Sequence, residues 1–347
     1  MVNINDEISK KSPLLSFVLV GRNDNYGGDF KARLQRCILS LFDQLNSNKI
    51  ASEIIFVNYN PLPDNAISNF ILWPKSNEFI TIKIITVANH IHQNFINNHQ
   101  VKDVPVLEYP AKNAGIRRAN GDFIVAMNPD IIFDNSFFKD IKNLKKTHYY
   151  RSNRFDFRLE KAAEEPKNIL EYAKNNVCKV WVKAISKSVK VGRVTKSKFY
   201  LILAQQKAEI IKYNLLQSFN FLWRKKLHSK AENRYHCNVS GDFMLMHKSA
   251  WQKIKAYKED AFLALHIDAL LVVQAATLSL KEFVYPYPIY HQEHDRRYNA
   301  ETENLDFRKA YLTFQEDSQI MIKEKKPTIF NSEHWGFAHL NLQETLL

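Results

Sequence analysis

Residues Asn113 to Asp130 read NAGIRRANGDFIVAMNPD, and this stretch decides the fold class. Ala114, Ile116 and Ala119 give a short predicted helix a small apolar face, and Asn120-Gly121 stops it. Phe123 to Met127 is an apolar run bounded by turn residues, as a buried strand should be. A helix feeding a buried strand is a unit of an α/β sheet, where ligands sit beyond the carboxyl ends of strands. That end here is Asn128-Pro129-Asp130, an acceptor-rich corner stiffened by proline. Function is expected there.

Upstream, Leu14 to Val20 (LLSFVLV) is another buried-strand run. It breaks into the polar, glycine-containing loop Gly21 to Gly28, and a helix is predicted from about Phe30 to Leu45. The loop has neither G-x-G-x-x-G nor G-x-x-x-x-G-K-[ST], so neither a dinucleotide fold nor a P-loop is supported. Glu53 to Val57 and Ile80 to Val87 are further strands, the first ending at Asn58. His90, His92 and His99 follow in an Asn-rich stretch without a nearby carboxylate and read as solvated. Downstream, Asn238 to His247 (NVSGDFMLMH) reads as a turn and strand leading to a helix with Trp251. Another helix is predicted over about Phe262 to Leu278. Phe283 to Pro288 is an extended aromatic segment that delivers Tyr290-His291-Gln292-Glu293-His294. These histidines are not the H-E-x-x-H helix of zinc proteases.

The order A-G-I-R-x-A-x-G-D-F-I, an apolar run and a short Asp-containing turn resembles the nucleotide-sugar glycosyltransferases of the GT-A fold, especially family two. The resemblance covers about residues 14 to 138 and 236 to 296. It implies an α/β, Rossmann-like, mostly parallel sheet with a basic, largely helical insertion. In that family the turn is usually Asp-x-Asp and its last Asp binds a divalent metal; here Asn128 replaces the first Asp and Asp130 keeps the last. A histidine after the last core strand often completes the site, which points to His291 first and His294 second. By the same resemblance Arg22 and Asp24 in the first loop and Asn58 at the second strand end approach base and ribose. Asn113 and Asn128 are further candidates for the nucleotide sugar. Of Arg117 and Arg118 only one would face the ligand, since consecutive helix positions point about 100° apart; a cation there would pair with the diphosphate or else be solvated, and Arg117 is the candidate partner. Asp268, just before Ala269-Leu270-Leu271, matches the family's catalytic base, with Asp242 in reserve. Ile267 stands where a first acid is common, and His266 where an aromatic residue is usual.

The chain has 347 residues, 45% hydrophobic and 24% charged, which suits a packed globular protein. Its three cysteines, Cys37, Cys178 and Cys237, show no zinc spacing and suggest a reducing compartment. The first 13 residues lack the apolar core of a signal peptide, and no stretch approaches the roughly 20 apolar residues of a transmembrane helix. A cytoplasmic protein, at most peripheral to the inner face of a membrane, is expected. The net charge of +13 is local: Arg151 to Tyr235 holds 20 Lys and Arg against 7 Asp and Glu, leaving 29 of each elsewhere. Four divisions follow: a nucleotide-sugar-binding half (1–150), the basic insertion (151–235), an acceptor and catalytic half (236–300), and a C-terminal helix and tail (301–347), with Trp335 and Phe337 docking back.

The activity that the resemblance implies is a metal-dependent, inverting transfer of a sugar from a nucleotide-diphosphate donor to a glycan or lipid-linked hydroxyl, with Mn2+ or Mg2+ as cofactor. Within the basic segment Ile210, Ile211, Leu215, Phe219 and Leu222 approximate a helical face, and Trp223 precedes Arg224-Lys225-Lys226. This suits an anionic membrane surface, packing on the catalytic domain, or steering of a polyanionic acceptor such as an acidic polysaccharide. Two other classes compete: a nucleotide- or sugar-binding protein without catalysis, and a nucleic-acid-binding protein. The latter lacks an RNP-type signature and zinc-finger spacing.

Overall fold

The computed structural model describes residues 12–63, 66–99, 104–159, 165–182, 185–190, 196–219, 231–259, 266–295 and 300–347. Its strands are β1 (Leu15–Gly21), β2 (Ser52–Tyr59), β3 (Ile80–Val87), β4 (Phe123–Met127), β5 (Ile131–Phe133), β6 (His148–Arg151), β7 (Arg154–Phe157), β8 (Val177–Val182), β9 (Ile185–Lys190), β10 (Phe243–His247), β11 (Lys281–Val284), β12 (Ile289–Gln292) and β13 (Gln343–Leu346). Among the described residues they form an eight-stranded sheet, β11-β6-β10-β4-β1-β2-β3-β13, and a five-stranded sheet, β5-β12-β7-β8-β9.

The apolar runs read from the sequence become the centre of the larger sheet. β4, β1, β2 and β3 are parallel, and both sheet faces are covered, which is why these strands are nearly continuous in Ile, Val, Leu and Phe. Along β1, Val18 and Val20 join one core while Leu15, Phe17 and Leu19 join the other. The helix Phe30–Ser47 covers the second face through Phe30, Leu34, Cys37, Ile38, Leu41 and Leu45. Each such side chain contributes about 1.5–3 kcal/mol on full burial, so the sheet is a stiff platform for the loops at its ends.

The helix of the opening stretch starts earlier than its apolar face suggests, spanning Glu108–Arg117. Every residue from Tyr109 to Ile116 is buried, so it is packed all round and its ends are not marked by an apolar stripe. Pro110 is tolerated because it lies in the first turn. The helix also stops before Asn120-Gly121. That turn is held by buried Glu53, which accepts from the Asn120 backbone N–H and from Ser16 Oγ, while Gly121 N donates to Ser16 Oγ at 2.8 Å. Gly115 faces the sheet: a Cβ there would lie 2.5 Å from Val18 Cγ1 and 3.0 Å from Val57 Cγ2.

Other expectations shift too. His92, expected to be solvated, is fully buried with Nδ1 3.2 Å from Tyr59 Oη, because the Asn-rich stretch forms a helix, Asn89–His99, that turns this residue inward. The segment 151–235 holds strands as well as helices: Arg151 ends β6, inside the larger sheet, and β7 to β9 lie in the smaller one. Its long helix, Lys196–Phe219, turns Ile210 into the protein and leaves Leu201, Ile211 and Leu215 exposed. Leu222, Trp223 and Arg224-Lys225-Lys226 lie outside the described residues, as does the start of the helix expected from Phe262. Among the described residues no helix is long and apolar enough to cross a membrane.

The C-terminal segment docks back on the protein. Trp335 and Phe337 are buried against the helix Glu108–Arg117, and β13 adds antiparallel to β3.

Gly115→Ala is expected to lower stability by about 1–3 kcal/mol, the usual cost of overpacking, because the added methyl meets two strands at once. Chemical denaturation of the variant checks this.

Candidate functional site: a cation centre at the strand ends

Topology assembles the site. The loops after β1, β2 and β4 leave the sheet at one edge, as parallel strands require, and β10 runs antiparallel to β4 with Phe243 opposite Met127. The loop before β10 therefore meets the turn after β4, and Asp242 meets Asn128. In the smaller sheet His291 of β12 is paired with Ile131 of β5, which sets it beside Asp130.

Asp130, His291 and His294 converge, with one ligand atom from each lying within 4.8 Å of the others. Asp130 is only 3% exposed. Its Oδ2 lies 3.3 Å from His294 Nε2 and 3.7 Å from His291 Nε2, and accepts from Arg33 Nη1 at 2.9 Å. Burial opposes its charge, yet His291, His294 and Arg33 together outweigh burial and hold its pKa well below the carboxylate range. Its other oxygen, Oδ1, is buried with no hydrogen-bond partner, although a buried acceptor normally has one. One carboxylate and two imidazoles, with an acceptor left over, fit a divalent cation. Sequence reasoning weighed His291 against His294; the fold brings both.

The remaining candidates divide. Asp268 lies in the first turn of the helix Ile267–Thr277, partly exposed; its Oδ2 accepts from Ser240 Oγ at 2.8 Å and from Gly241 N at 2.7 Å. Asn128 donates to Asp242 Oδ1 at 2.7 Å. Arg22 donates through Nε to Asn60 O at 2.7 Å and lies 3.6 Å from Asp24, whose Oδ1 accepts from Tyr26 N; both brace the first loop and stay partly exposed. Asn58, at the end of β2, is buried with Oδ1 unpartnered.

Three candidates are taken up by the scaffold. Asn113 is fully buried, its amide donating to Tyr257 O and Glu259 Oε1 and accepting from Tyr257 N. No hydrogen-bonding position there faces a ligand, because this side chain ties the helix to the loop after the Trp251 helix. Arg117 lies over the Trp335 ring, 4.7 Å from its centroid, and Arg118 donates to the carbonyls of Gly336, Phe337 and Leu340. These two cations hold the C-terminal segment, not a diphosphate. Asp242, the reserve base, has both oxygens committed, Oδ1 to Asn128 and Oδ2 to Arg154 Nη1 at 2.6 Å.

Four residues of the site went unread in the sequence. Arg33 comes from the first helix, one turn past its start. Lys112 is fully buried, and Nζ donates to Glu108 Oε1 at 2.7 Å, Asn128 Oδ1 at 2.8 Å and Gly241 O at 2.7 Å, using all three ammonium hydrogens. Its signal was a lysine four residues after a glutamate, the spacing of an ion pair on one helix face. Arg154 and Asp156, in β7, were counted only as part of a basic block. The sequence Arg-Phe-Asp-Phe alternates charge with aromatic, which puts both charges on one strand face.

No protein-family model matches the chain, and no curated protein does. Among solved structures it is similar to the crystal structure of GalNAc-T7 with UDP, GalNAc and Mn2+, at 9% identity and a TM-score of 0.49, covering 93% of this chain and 53% of that one. It is also similar to S. aureus TarS 1-349 in complex with UDP-GlcNAc, at 11% identity and a TM-score of 0.44, covering 88% of this chain and 66% of that one. The chain thus spans about half to two thirds of the length of these solved chains, both of them GT-A fold glycosyltransferases. At such identities the likeness concerns the fold alone.

Lys112→Ala is expected to cost about 3 kcal/mol, because it leaves Asn128, Gly241 O and Glu108 without their common donor. Thermal and denaturant unfolding of the variant measure it.

Proposed function

We propose that this protein is a metal-dependent glycosyltransferase of the GT-A type, moving a sugar from a nucleotide-diphosphate donor to an acceptor hydroxyl. One observation carries the reading: Asp130, His291 and His294 meet at the carboxyl end of a parallel sheet with a buried carboxylate oxygen left unpaired, where α/β folds bind nucleotides. These three side chains would hold Mn2+ or Mg2+, which supplies Lewis-acid stabilisation of the departing diphosphate. Asn58 and the first loop, with Arg22 and Asp24, would line the base and ribose. Arg33, donating to the Tyr26 and Gly28 carbonyls, keeps that loop against the cation site.

Asp268 is the group assigned to the acceptor. Ser240 and Gly241 fix Oδ2, so the carboxylate is oriented without being sealed off, and it would take the hydroxyl proton as the oxygen attacks the anomeric carbon. Attack from the face opposite the diphosphate gives inversion. The acceptor is proposed to be a glycan or a lipid-linked sugar, with the exposed Leu201, Ile211 and Leu215 and the basic segment around them placed toward an anionic membrane surface inside the cell.

Calorimetric titration with a panel of nucleotide sugars, with and without Mn2+, tests the donor site. Metal-enhanced binding of one donor is expected, with Asp130→Ala abolishing the enhancement while the fold survives; a variant that keeps the enhancement removes Asp130 from the cation site. Asp268→Asn is expected to retain donor binding and lose transfer by about 100-fold or more, the scale of general-base catalysis. Nucleoside diphosphate release at the wild-type rate would reject Asp268 as the base.

A further inference from the structure

The cation cluster is braced by a strand that supplies none of its three side chains. β7 runs parallel to β12 with Asp156 in register with His291. Asp156 is 2% exposed, and its Oδ1 lies 3.3 Å from His291 Nδ1, on the ring edge away from Asp130; the two buried atoms face each other short of hydrogen-bond geometry, and neither has another hydrogen-bond partner. Asp156 Oδ2 accepts from Trp181 Nε1 at 2.9 Å and from Arg154 Nη2 at 3.2 Å, and Arg154 Nε lies 2.7 Å from Oδ1. Arg154 also donates through Nη1 to Asp242 Oδ2, on the loop whose neighbouring Gly241 N–H donates to Asp268.

A neutral imidazole carries one proton, and the nitrogen that takes a cation must be the bare one. A carboxylate against Nδ1 keeps the proton there and leaves Nε2 free, as partner carboxylates of metal-binding histidines do. We propose that Asp156 is the positioning residue of the cation site: it selects the Nδ1-protonated form of His291, and Arg154 ties that arrangement to Asp242 on the acceptor loop. The proposal rests on reading Asp130, His291 and His294 as a cation site. It makes a specific claim about Asp156→Asn, which is nearly isosteric. Arg154 lies against both oxygens, Nη2 at Oδ2 and Nε at Oδ1, whereas Trp181 Nε1 donates on the Oδ2 side alone, so Trp181 draws the amide oxygen to that side and leaves the NH2 facing His291. That NH2 meets Nδ1 as a donor, so the ring proton moves to Nε2 and blocks the cation.

Two measurements on the full chain test this. Nitrogen-15 spectra of labelled histidine, with His291 assigned by His291→Gln, report which ring nitrogen carries the proton in the metal-free protein, read across a pH series at the points where the spectra themselves show a single ring proton. Protonation of Nδ1 in the wild type and of Nε2 in Asp156→Asn is expected; a wild-type His291 protonated on Nε2 overturns the proposal without need of any variant. Mn2+ affinity in the presence of UDP, read from the spin resonance of free Mn2+, is expected to fall about 10- to 100-fold in Asp156→Asn. A variant that loses thermal stability but keeps both tautomer and affinity shows a structural strut and overturns it. If the wild type binds no Mn2+ with or without UDP, the cation-site reading fails instead, and the spectra still decide whether Asp156 sets the ring.

Discussion

A chain of charged and polar side chains, most of them buried, crosses the end of the sheet, and the site depends on it. Lys112 donates to Asn128, Asn128 to Asp242, and Arg154 to both Asp242 and Asp156, with Asp156 against His291 and His291 facing Asp130. Each link joins a different element: the helix Glu108–Arg117, the turn after β4, the loop before β10, β7, and the end of β12. Apolar packing positions these elements to within sliding distance of one another. Directional bonds between charged groups then set the register.

Such a network is costly to bury and costly to break. Isolated charges taken out of water lose several kcal/mol each, recovered only when every partner is in place. Lys112 stands against Glu108, Arg33 against Asp130, and Arg154 against both Asp156 and Asp242, so each of these buried cations has a carboxylate partner. Removing one member leaves its partner buried and uncompensated, so substitutions here act on stability and binding together. Arg117 and Arg118, by contrast, act on the far end of the same helix, where they fasten the C-terminal segment by stacking and by bonds to carbonyls.

Much of the scaffold was legible in the chain. β3 and β4 begin and end where their apolar runs do, and β1 and β2 differ only at their ends, because a strand buried on both faces leaves an unbroken hydrophobic signal. Asp130 stood out as the polar end of such a run, whereas His291 and Asp268 were singled out by the resemblance to GT-A glycosyltransferases. Lys112, Arg154 and Asp156 did not stand out, since a buried ion pair looks like any surface charge until its partner is known. Asn113 and Arg117 misled for the same reason: their helix carries no polar face, so sequence spacing cannot say which side chains turn to the ligand and which to the loop at Tyr257 or to Trp335.

The sequence by itself determined the local order: alternating helices and apolar strands, polar corners at the strand ends, and an Asp and two histidines within reach of such corners. Hydrophobic periodicity is written within a few residues, so it survives without knowledge of the fold. Only the tertiary structure decided which corners meet. Asp130 and His291 are 161 positions apart, and Asp242 joins Asn128 because β10 runs antiparallel beside β4. Strand order and direction set those encounters, and they follow from packing the whole chain, which no short stretch encodes.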